Sequence, residues 1–291
     1  MSKALKDLIA GTSELRSLPS TTMRLMTLLD DATVGADEVL EIIEKDPSLT
    51  ANLLKLCNSA FYGLRCKVGS SREALVMLGN STIVNLAFAT SMGDVLRGPL
   101  AGYHMARNEL WYHALGTAMG ASYLVSLAGD ATLRERAFTG GLVHDIGKLL
   151  LNRSLKENLV QLPPDVDAAA QMKAEVDILG FDHAEAGAAL GTAWNFPPGL
   201  VQLIGAHNIQ GTDNSVWGEM APEDQQLVRA VAGANLVAGY CGFGGGTVAP
   251  SVGELQEAMT VLGFADGVAE DLSARLPDDL DGMLSVIGEQ R

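Results

Sequence analysis

The chain has 291 residues, a length typical of about two domains, and 47% of the residues are hydrophobic. This content allows a substantial buried core and excludes a mainly disordered chain. The 20 Lys and Arg against 35 Asp and Glu give a net charge of −15. Proteins that bind nucleic acid or anionic membranes usually present a basic surface, so we expect neither a nucleic-acid partner nor a membrane partner.

The first hundred residues are predicted to form short helices, because their apolar residues recur at helical spacing. Asp46 is suited to cap a helix whose first position is Pro47. Ser70 and Glu73 have the spacing of a capping box, and Gly79 is expected to stop the helix that follows them. No stretch of the chain alternates as a strand does, so the sequence predicts an all-α protein.

The best candidate boundary between two helical subdomains is the Gly- and Pro-rich stretch 97–102 (RGPLAG). Beyond it, the apolar spacing predicts helices near 107–127, 131–144, 167–179, 183–195, 199–208 and 222–240. The predicted division is an N-terminal extension (1–17), an N-terminal helical subdomain (18–98), a second helical subdomain (99–240), and a Gly-rich loop with acidic C-terminal helices (241–291).

The cysteines and the N-terminus indicate a cytoplasmic protein. The three cysteines, Cys57, Cys66 and Cys241, are odd in number and lack CxxC spacing. This pattern is typical of a reduced chain and favours neither a disulfide framework nor a thiolate zinc site. Residues 1–20 contain no long apolar core, so we expect no secretory signal.

The histidines are the candidate functional residues. His113, His144 and His183 have small residues one helical turn away, and His207 continues an apolar stripe. Small neighbours let helix backbones approach closely, which could gather imidazoles from separate helices into one pocket. A hydrogen-bonded core histidine is the alternative for each of them. His104 lies beside the subdomain boundary and is expected to be exposed or to act as a local cap.

The strongest single motif is HDIGK at 144–148. His144 and Asp145 offer one imidazole and one carboxylate to the same cation, a ligand pair suited to Zn, Fe, Mn or Mg. We expect Gly147 to end the helix that carries them. Lys148 has two interpretations, a phosphate contact or a lysine paired with a carboxylate.

Two other motifs favour structural roles. Asp182 and Glu185 have capping-box spacing, which favours a helix cap over a pair of acid–base carboxylates. The glycines at 244–246 follow no predicted strand and precede no Lys-Ser/Thr pair, so we expect a flexible linker instead of a phosphate loop.

The HDIGK motif, together with the upstream His113, resembles the HD superfamily of metal-dependent phosphohydrolases. Several further segments resemble the HDOD family, in the same order along the chain. These segments are Leu18-Pro19, 46–51 (DPSLTA), 58–63 (NSAFYG), 72–79 (REALVMLG) and 180–187 (GFDHAEAG). The resemblance covers about residues 15–240. It implies an HDOD-type helical subdomain packed on an HD-like helical bundle, and a role in bacterial signal transduction without proven hydrolase activity.

The resemblance also implies a metal set that this chain keeps only in part. The HD superfamily uses a His, a His-Asp pair and a distal Asp, and His113, His144 and Asp145 match the first three. The distal position falls on Asn235, whose neutral amide cannot offset the charge of a divalent cation.

The related cyclic-dinucleotide phosphodiesterases have additional histidines and a Gly-Tyr-Pro motif. His183 matches one of these histidines, and His207 followed by Asn208 matches half of a His-His pair. The chain has no Gly-Tyr-Pro. A two-metal hydrolase built on this pattern would lack one carboxylate and one imidazole.

These losses favour a non-catalytic regulatory module that acts through contacts with a signalling protein. The acidic surface suits a partner with a basic patch. One divalent metal ion (Fe, Mn, Zn or Mg) and a small-molecule or nucleotide ligand are the candidate occupants of the histidine pocket. The alternative is a metal-dependent phosphohydrolase, or a protein that cleaves or binds cyclic dinucleotides.

Overall fold

The fold is all-helical, as the sequence predicts. A computed structural model describes residues 5, 8–9, 18–29, 35–59, 62–127, 129, 133–208, 217–218, 220–244 and 247–287. Within these ranges, strand-like pairing is limited to two isolated bridges, Leu100 with Met105 and Val166 with Thr247. None of the helices in the described ranges has the length and apolar character that a membrane crossing requires.

The chain divides into two compact units. The larger unit contains residues 1–17 and 96–276, and the smaller unit contains residues 18–95 and 277–291. The last helix, α14 (Val268–Ile287), belongs to the larger unit up to Leu276 and to the smaller unit from Pro277. The four-part division expected from the sequence stays a prediction.

The smaller unit is built from short helices whose ends carry the predicted signals. The Asp46 carboxylate accepts hydrogen bonds from the backbone N–H groups of the first turn, and Pro47 is the first helical residue. Ser70 accepts from the Glu73 N–H, and Gly79 ends the next helix at a φ of +83°. These helices are α1 (Ser20–Leu29), α2 (Ala36–Glu44), α3 (Pro47–Cys57), α4 (Ser71–Leu78) and α5 (Asn80–Leu96).

The larger unit is a bundle in which one long helix, α6, packs against α7 and α12, while α10 packs against α8 and α11. A 3₁₀ turn at Ala101–Tyr103 precedes the bundle and contacts α8. The helices are α6 (Glu109–Leu127), α7 (Arg134–Val143), α8 (Gly147–Glu157), α9 (Ala168–Leu179), α10 (His183–Ala193), α11 (Pro198–Ala206), α12 (Pro222–Tyr240) and α13 (Val252–Val261).

Glycines let the helices of this bundle approach at backbone distance. A Cβ on Gly141 of α7 would lie 2.6 Å from the Ala118 Cα of α6. A Cβ on Gly147 would lie 1.8 Å from the carbonyl oxygen of His183 and 2.6 Å from the Gly187 nitrogen. The expectation that small residues beside the histidines permit close helix packing is therefore confirmed.

The prediction that Gly147 ends a helix is wrong. α7 ends at Val143, and Gly147 is the first residue of α8, which the sequence analysis missed. The physical reason for a glycine here is the contact with α10, since any side chain would collide with the His183 carbonyl.

Candidate metal centre

Four imidazoles and one carboxylate converge in the interior of the larger unit. The rings form a chain in which neighbouring centroids are 4.9–5.4 Å apart, and the most exposed of the five residues shows 5% of its surface. The five residues are His113, His144, Asp145, His183 and His207. All were candidates from the sequence, and their role as metal ligands stays a prediction.

Most of the centre is built from helix ends. His113 lies in the second turn of α6, and His144 and Asp145 occupy the tight turn between α7 and α8. His183 is the first residue of α10, and His207 follows the last residue of α11. The centre therefore depends on how the ends of separate helices meet.

Asp145 is the hub of the centre, and each of its oxygens faces two imidazoles. Oδ2 lies 3.4 Å from His113 Nε2 and 3.5 Å from His144 Nε2. Oδ1 lies 3.4 Å from His183 Nε2 and 3.6 Å from His207 Nε2. The five residues therefore form two potential ligand groups that share one carboxylate.

Backbone carbonyls hold three of the rings in a single tautomer. Nδ1 of His144 donates to the Gly141 carbonyl, and Nδ1 of His207 donates to the Ile204 carbonyl, both at 2.7 Å. Nδ1 of His113 donates to the carbonyl of Phe243. Because a carbonyl oxygen can only accept, each Nδ1 carries a hydrogen, and each ring turns its Nε2 toward the centre, where the Nε2 atoms of His113 and His144 lie 3.2 Å apart. Metal-binding histidines are oriented in the same way.

His183 has a different anchor, the carboxylate of Glu175 in α9. The carboxylate accepts from His183 Nδ1 at 2.7 Å, from the His183 backbone N–H at 2.7 Å, and from the Tyr103 hydroxyl at 2.9 Å. Glu175 is fully buried. Neither Glu175 nor Tyr103 was predicted from the sequence, although Glu175 precedes His183 by only eight residues, across the turn at Gly180.

Burial and neighbouring charges shift the pKa values of the centre in different directions. Although burial alone would raise it, Lys148 and His144 hold the pKa of Asp145 well below its ordinary value. Burial opposes the charged form of His183, but Glu175 raises the pKa of this ring above its ordinary value. Burial lowers the pKa of His144 and His207, which favours their neutral forms.

The residues present fit one divalent cation. Asp145 Oδ1 and His207 Nε2 are buried without a hydrogen-bond partner, and both are acceptors. Ligand atoms of a tetrahedral site with bonds of about 2.1 Å lie roughly 3.4 Å apart, close to the 3.4–3.6 Å spacing around Oδ1. Imidazole and carboxylate ligands suit Zn, Mn and Fe.

Lys148 and Asn208 each contact a side-chain atom that faces the centre. The Lys148 ammonium lies 2.7 Å from Asp145 Oδ2, so the lysine is paired with a carboxylate. The Asn208 side-chain nitrogen lies 2.9 Å from His183 Nε2. Asn235 is half-buried in α12, and none of the contacts described above involves it.

Two other expectations have clear outcomes. Asp182 caps α10 by accepting from the Glu185 N–H, as predicted. His104 is exposed, also as predicted, and its ring contacts the Leu162 carbonyl. At the start of the Gly-rich loop, Phe243 and Gly244 lie against His113, and the interpretation of 244–246 as a linker stays a prediction. Gly245 and Gly246 lie outside the described residues.

The all-helical fold and the paired histidines and aspartate define a protein related to the HD-superfamily phosphohydrolases. Within that class, the chain belongs to the HDOD family, whose domain model matches residues 15–210.

Similar proteins come from several bacteria. A crystal structure of an HDOD domain protein with unknown function from Geobacter sulfurreducens is 24% identical, with a TM-score of 0.72 over 98% of this chain and 96% of that one. A candidate phosphohydrolase from Shewanella amazonensis SB2B is 25% identical, with a TM-score of 0.68 over 98% of both chains. An uncharacterized protein of Treponema pallidum (strain Nichols) is 28% identical over 77% of this chain. The match covers 42% of the length of that protein.

Proposed function

We propose that this chain is a non-catalytic regulatory module of bacterial signal transduction, which acts through contact with a partner protein. One observation supports this most strongly. The single carboxylate at the middle of the histidine centre, Asp145, is already paired with the Lys148 ammonium at 2.7 Å. A hydrolytic centre needs that oxygen for a metal ion.

The carboxylates of the centre are too few for two-metal hydrolysis. Such a site holds two ions about 3.5–4 Å apart and stabilises both the attacking and the leaving oxygen. Asp145 would have to serve both ions, since the Glu175 carboxylate is engaged by Tyr103 and His183. The position that matches the distal Asp by resemblance holds Asn235.

Burial also argues against a phosphodiester substrate. His144 and His207 are fully buried, and Asp145 shows only 2% of its surface. A substrate phosphate would have to reach ligand atoms that are enclosed by α6, α8, α10 and α11. A buried ion that joins the ends of several helices suits a structural or regulatory role better than turnover.

A divalent ion in this centre would be held by Asp145 together with imidazoles from different helices. When bound, it would supply a cross-link between helix ends and a charge that opposes Asp145. His113, His144 and His207 are already oriented by backbone carbonyls, and His183 by Glu175, so little reorganisation is needed. Metal occupancy would then alter the stability of the larger unit, and through it the affinity for a partner.

The partner we propose is a signalling protein with a basic contact surface. The net charge of −15 gives long-range attraction to such a surface and repulsion from nucleic acid. Family membership supports the signalling context.

The proposal is tested by assaying turnover. The purified chain is incubated with cyclic dinucleotides, nucleotides and a model phosphodiester, each with Mn, Fe, Mg or Zn, beside an Asp145→Asn control. We expect the wild type to be no faster than the control. Turnover in the wild type that the Asp145→Asn substitution abolishes would overturn the non-catalytic role.

The second candidate function is metal-dependent phosphohydrolysis. The observation that favours it is the pair of ligand groups that share Asp145, since a bridging carboxylate is what a two-metal site requires. The same assay separates the two functions, because only this candidate predicts turnover that depends on both the metal and Asp145.

A further inference from the structure

The two ligand groups around Asp145 differ in a way that bears on metal stoichiometry. We call the first the 113/144 half, which consists of His113, His144 and Asp145 Oδ2. The second is the 183/207 half, which consists of His183, His207 and Asp145 Oδ1. Both halves are buried, and both have ligand atoms at metal-binding spacing.

The 113/144 half already contains a cation. The Lys148 ammonium lies 2.7 Å from Oδ2, and only 12% of the lysine side chain is exposed. The same ammonium lies 5.9 Å from the centroid of the Tyr103 ring, whose face adds to the attraction. Lys148 is three residues from Asp145, on the first turn of α8, so the helix itself holds the charge in place.

The 183/207 half differs from the first in that two of its potential ligand atoms have no hydrogen-bond partner. Asp145 Oδ1 and His207 Nε2 are 3.6 Å apart, both are buried, and neither has a hydrogen-bond partner. Nδ1 of His207 donates to the Ile204 carbonyl, so Nε2 is the ring nitrogen that faces the carboxylate oxygen. A positive ion between these two buried atoms would give each of them a partner.

We infer that the centre binds one divalent ion, in the 183/207 half, and that the Lys148 ammonium takes the place of a second ion in the 113/144 half. This inference deepens the metal-binding part of the proposed function. The ion would be of the class that accepts imidazole and carboxylate ligands, with Zn²⁺ and Co²⁺ as representatives. Asn208, which now contacts His183 Nε2, would have to give up that contact.

The first test counts metal ions in matched variants of Lys148. The full chain is freed of metal and titrated with Co²⁺, whose visible absorption reports coordination, and bound cobalt is measured by elemental analysis. We expect about one cobalt per chain in the wild type and in Lys148→Arg, which keeps the charge. Lys148→Met removes the charge and should bind about two.

The second test locates the ion with two matched histidine substitutions. His207→Gln should weaken cobalt binding by a factor of roughly 100 or more, since it removes a ligand. His113→Gln removes a histidine from the other half and should weaken cobalt binding much less than His207→Gln does. Circular dichroism confirms that each variant is folded, and a variant that folds only with metal is purified with Co²⁺ and its cobalt counted directly.

Several results would overturn the inference. The inference is wrong if the wild type binds no cobalt or two cobalt ions, or if Lys148→Met binds the same number of ions as the wild type. It is also wrong if both histidine variants lose cobalt binding equally. None of these results decides whether the chain turns over a phosphodiester, so the non-catalytic role stands or fails separately.

Discussion

Substitution of Gly147 by alanine tests whether the centre depends on the backbone contact between α8 and α10. An added Cβ would lie 1.8 Å from the His183 carbonyl oxygen and 2.6 Å from the Gly187 nitrogen. Both are backbone atoms, so no flexible side chain can move aside. The two helices would have to separate by about 1.6 Å or more to restore ordinary van der Waals distances.

The expected cost follows from that separation. Overpacking of a close-packed interior costs typically 1–3 kcal/mol, and a backbone clash of this size belongs at the upper end. We therefore expect Gly147→Ala to lower the free energy of unfolding by about 3 kcal/mol. For a chain of this size, the melting temperature should fall by roughly 6–12 °C.

The assay is thermal unfolding followed by circular dichroism, with Gly239→Ala as the control. Gly239 lies in α12, and nothing lies within 4 Å of the position that a Cβ would occupy. There the better helix propensity of alanine should leave stability unchanged or raise it by up to about 1 kcal/mol. A melting temperature of Gly147→Ala equal to that of the control would refute the close approach of α8 and α10.

Three further predictions concern the surroundings of the centre and one thiol. Glu175→Gln, which removes the anionic acceptor of His183, should weaken cobalt binding by about 10–100-fold, as measured by titration. His144 and His207 are buried with lowered pKa values, whereas the unfolded chain takes up protons on both. In metal-free protein, the urea concentration at the unfolding midpoint should therefore decrease as the pH is lowered from about 6.5 to about 5. His183 has a raised pKa, so its contribution to stability is already complete below about pH 6.5 and does not oppose this decrease. A constant midpoint would contradict the burial of two neutral rings. Cys57 is buried, and burial raises its pKa to about 12; a thiol reagent should therefore label it only on unfolding, as judged by mass spectrometry of the peptides.

The sequence predicted the all-helical fold, and it singled out the four histidines and the aspartate that the structure brings together, for specific reasons. His144 and Asp145 stand in a short motif, and the chemistry of a histidine beside an aspartate is local. The small residues near His183 signalled that helices approach closely there, which the position of Gly147 against α10 bears out. Helix caps such as Asp46 were also predictable, because a cap is a contact between neighbours in the chain.

What the sequence could not predict depends on contacts between distant segments. Glu175 lies in a helix with charged neighbours and resembles a surface residue, and only the fold places it under His183. Phe243 reaches His113 across 130 positions, so its carbonyl gave no signal in a loop that looked like a linker. Lys148 had two interpretations, and the turn between α7 and α8 places it on Asp145.

The most direct test of this account is anomalous diffraction at the cobalt edge from crystals of the cobalt-saturated chain. We expect a single anomalous peak, bounded by Asp145, His183 and His207, with the Lys148 ammonium still beside the other carboxylate oxygen. A peak between His113 and His144, or two peaks on either side of Asp145, would contradict the claim that a lysine replaces one ion of the centre.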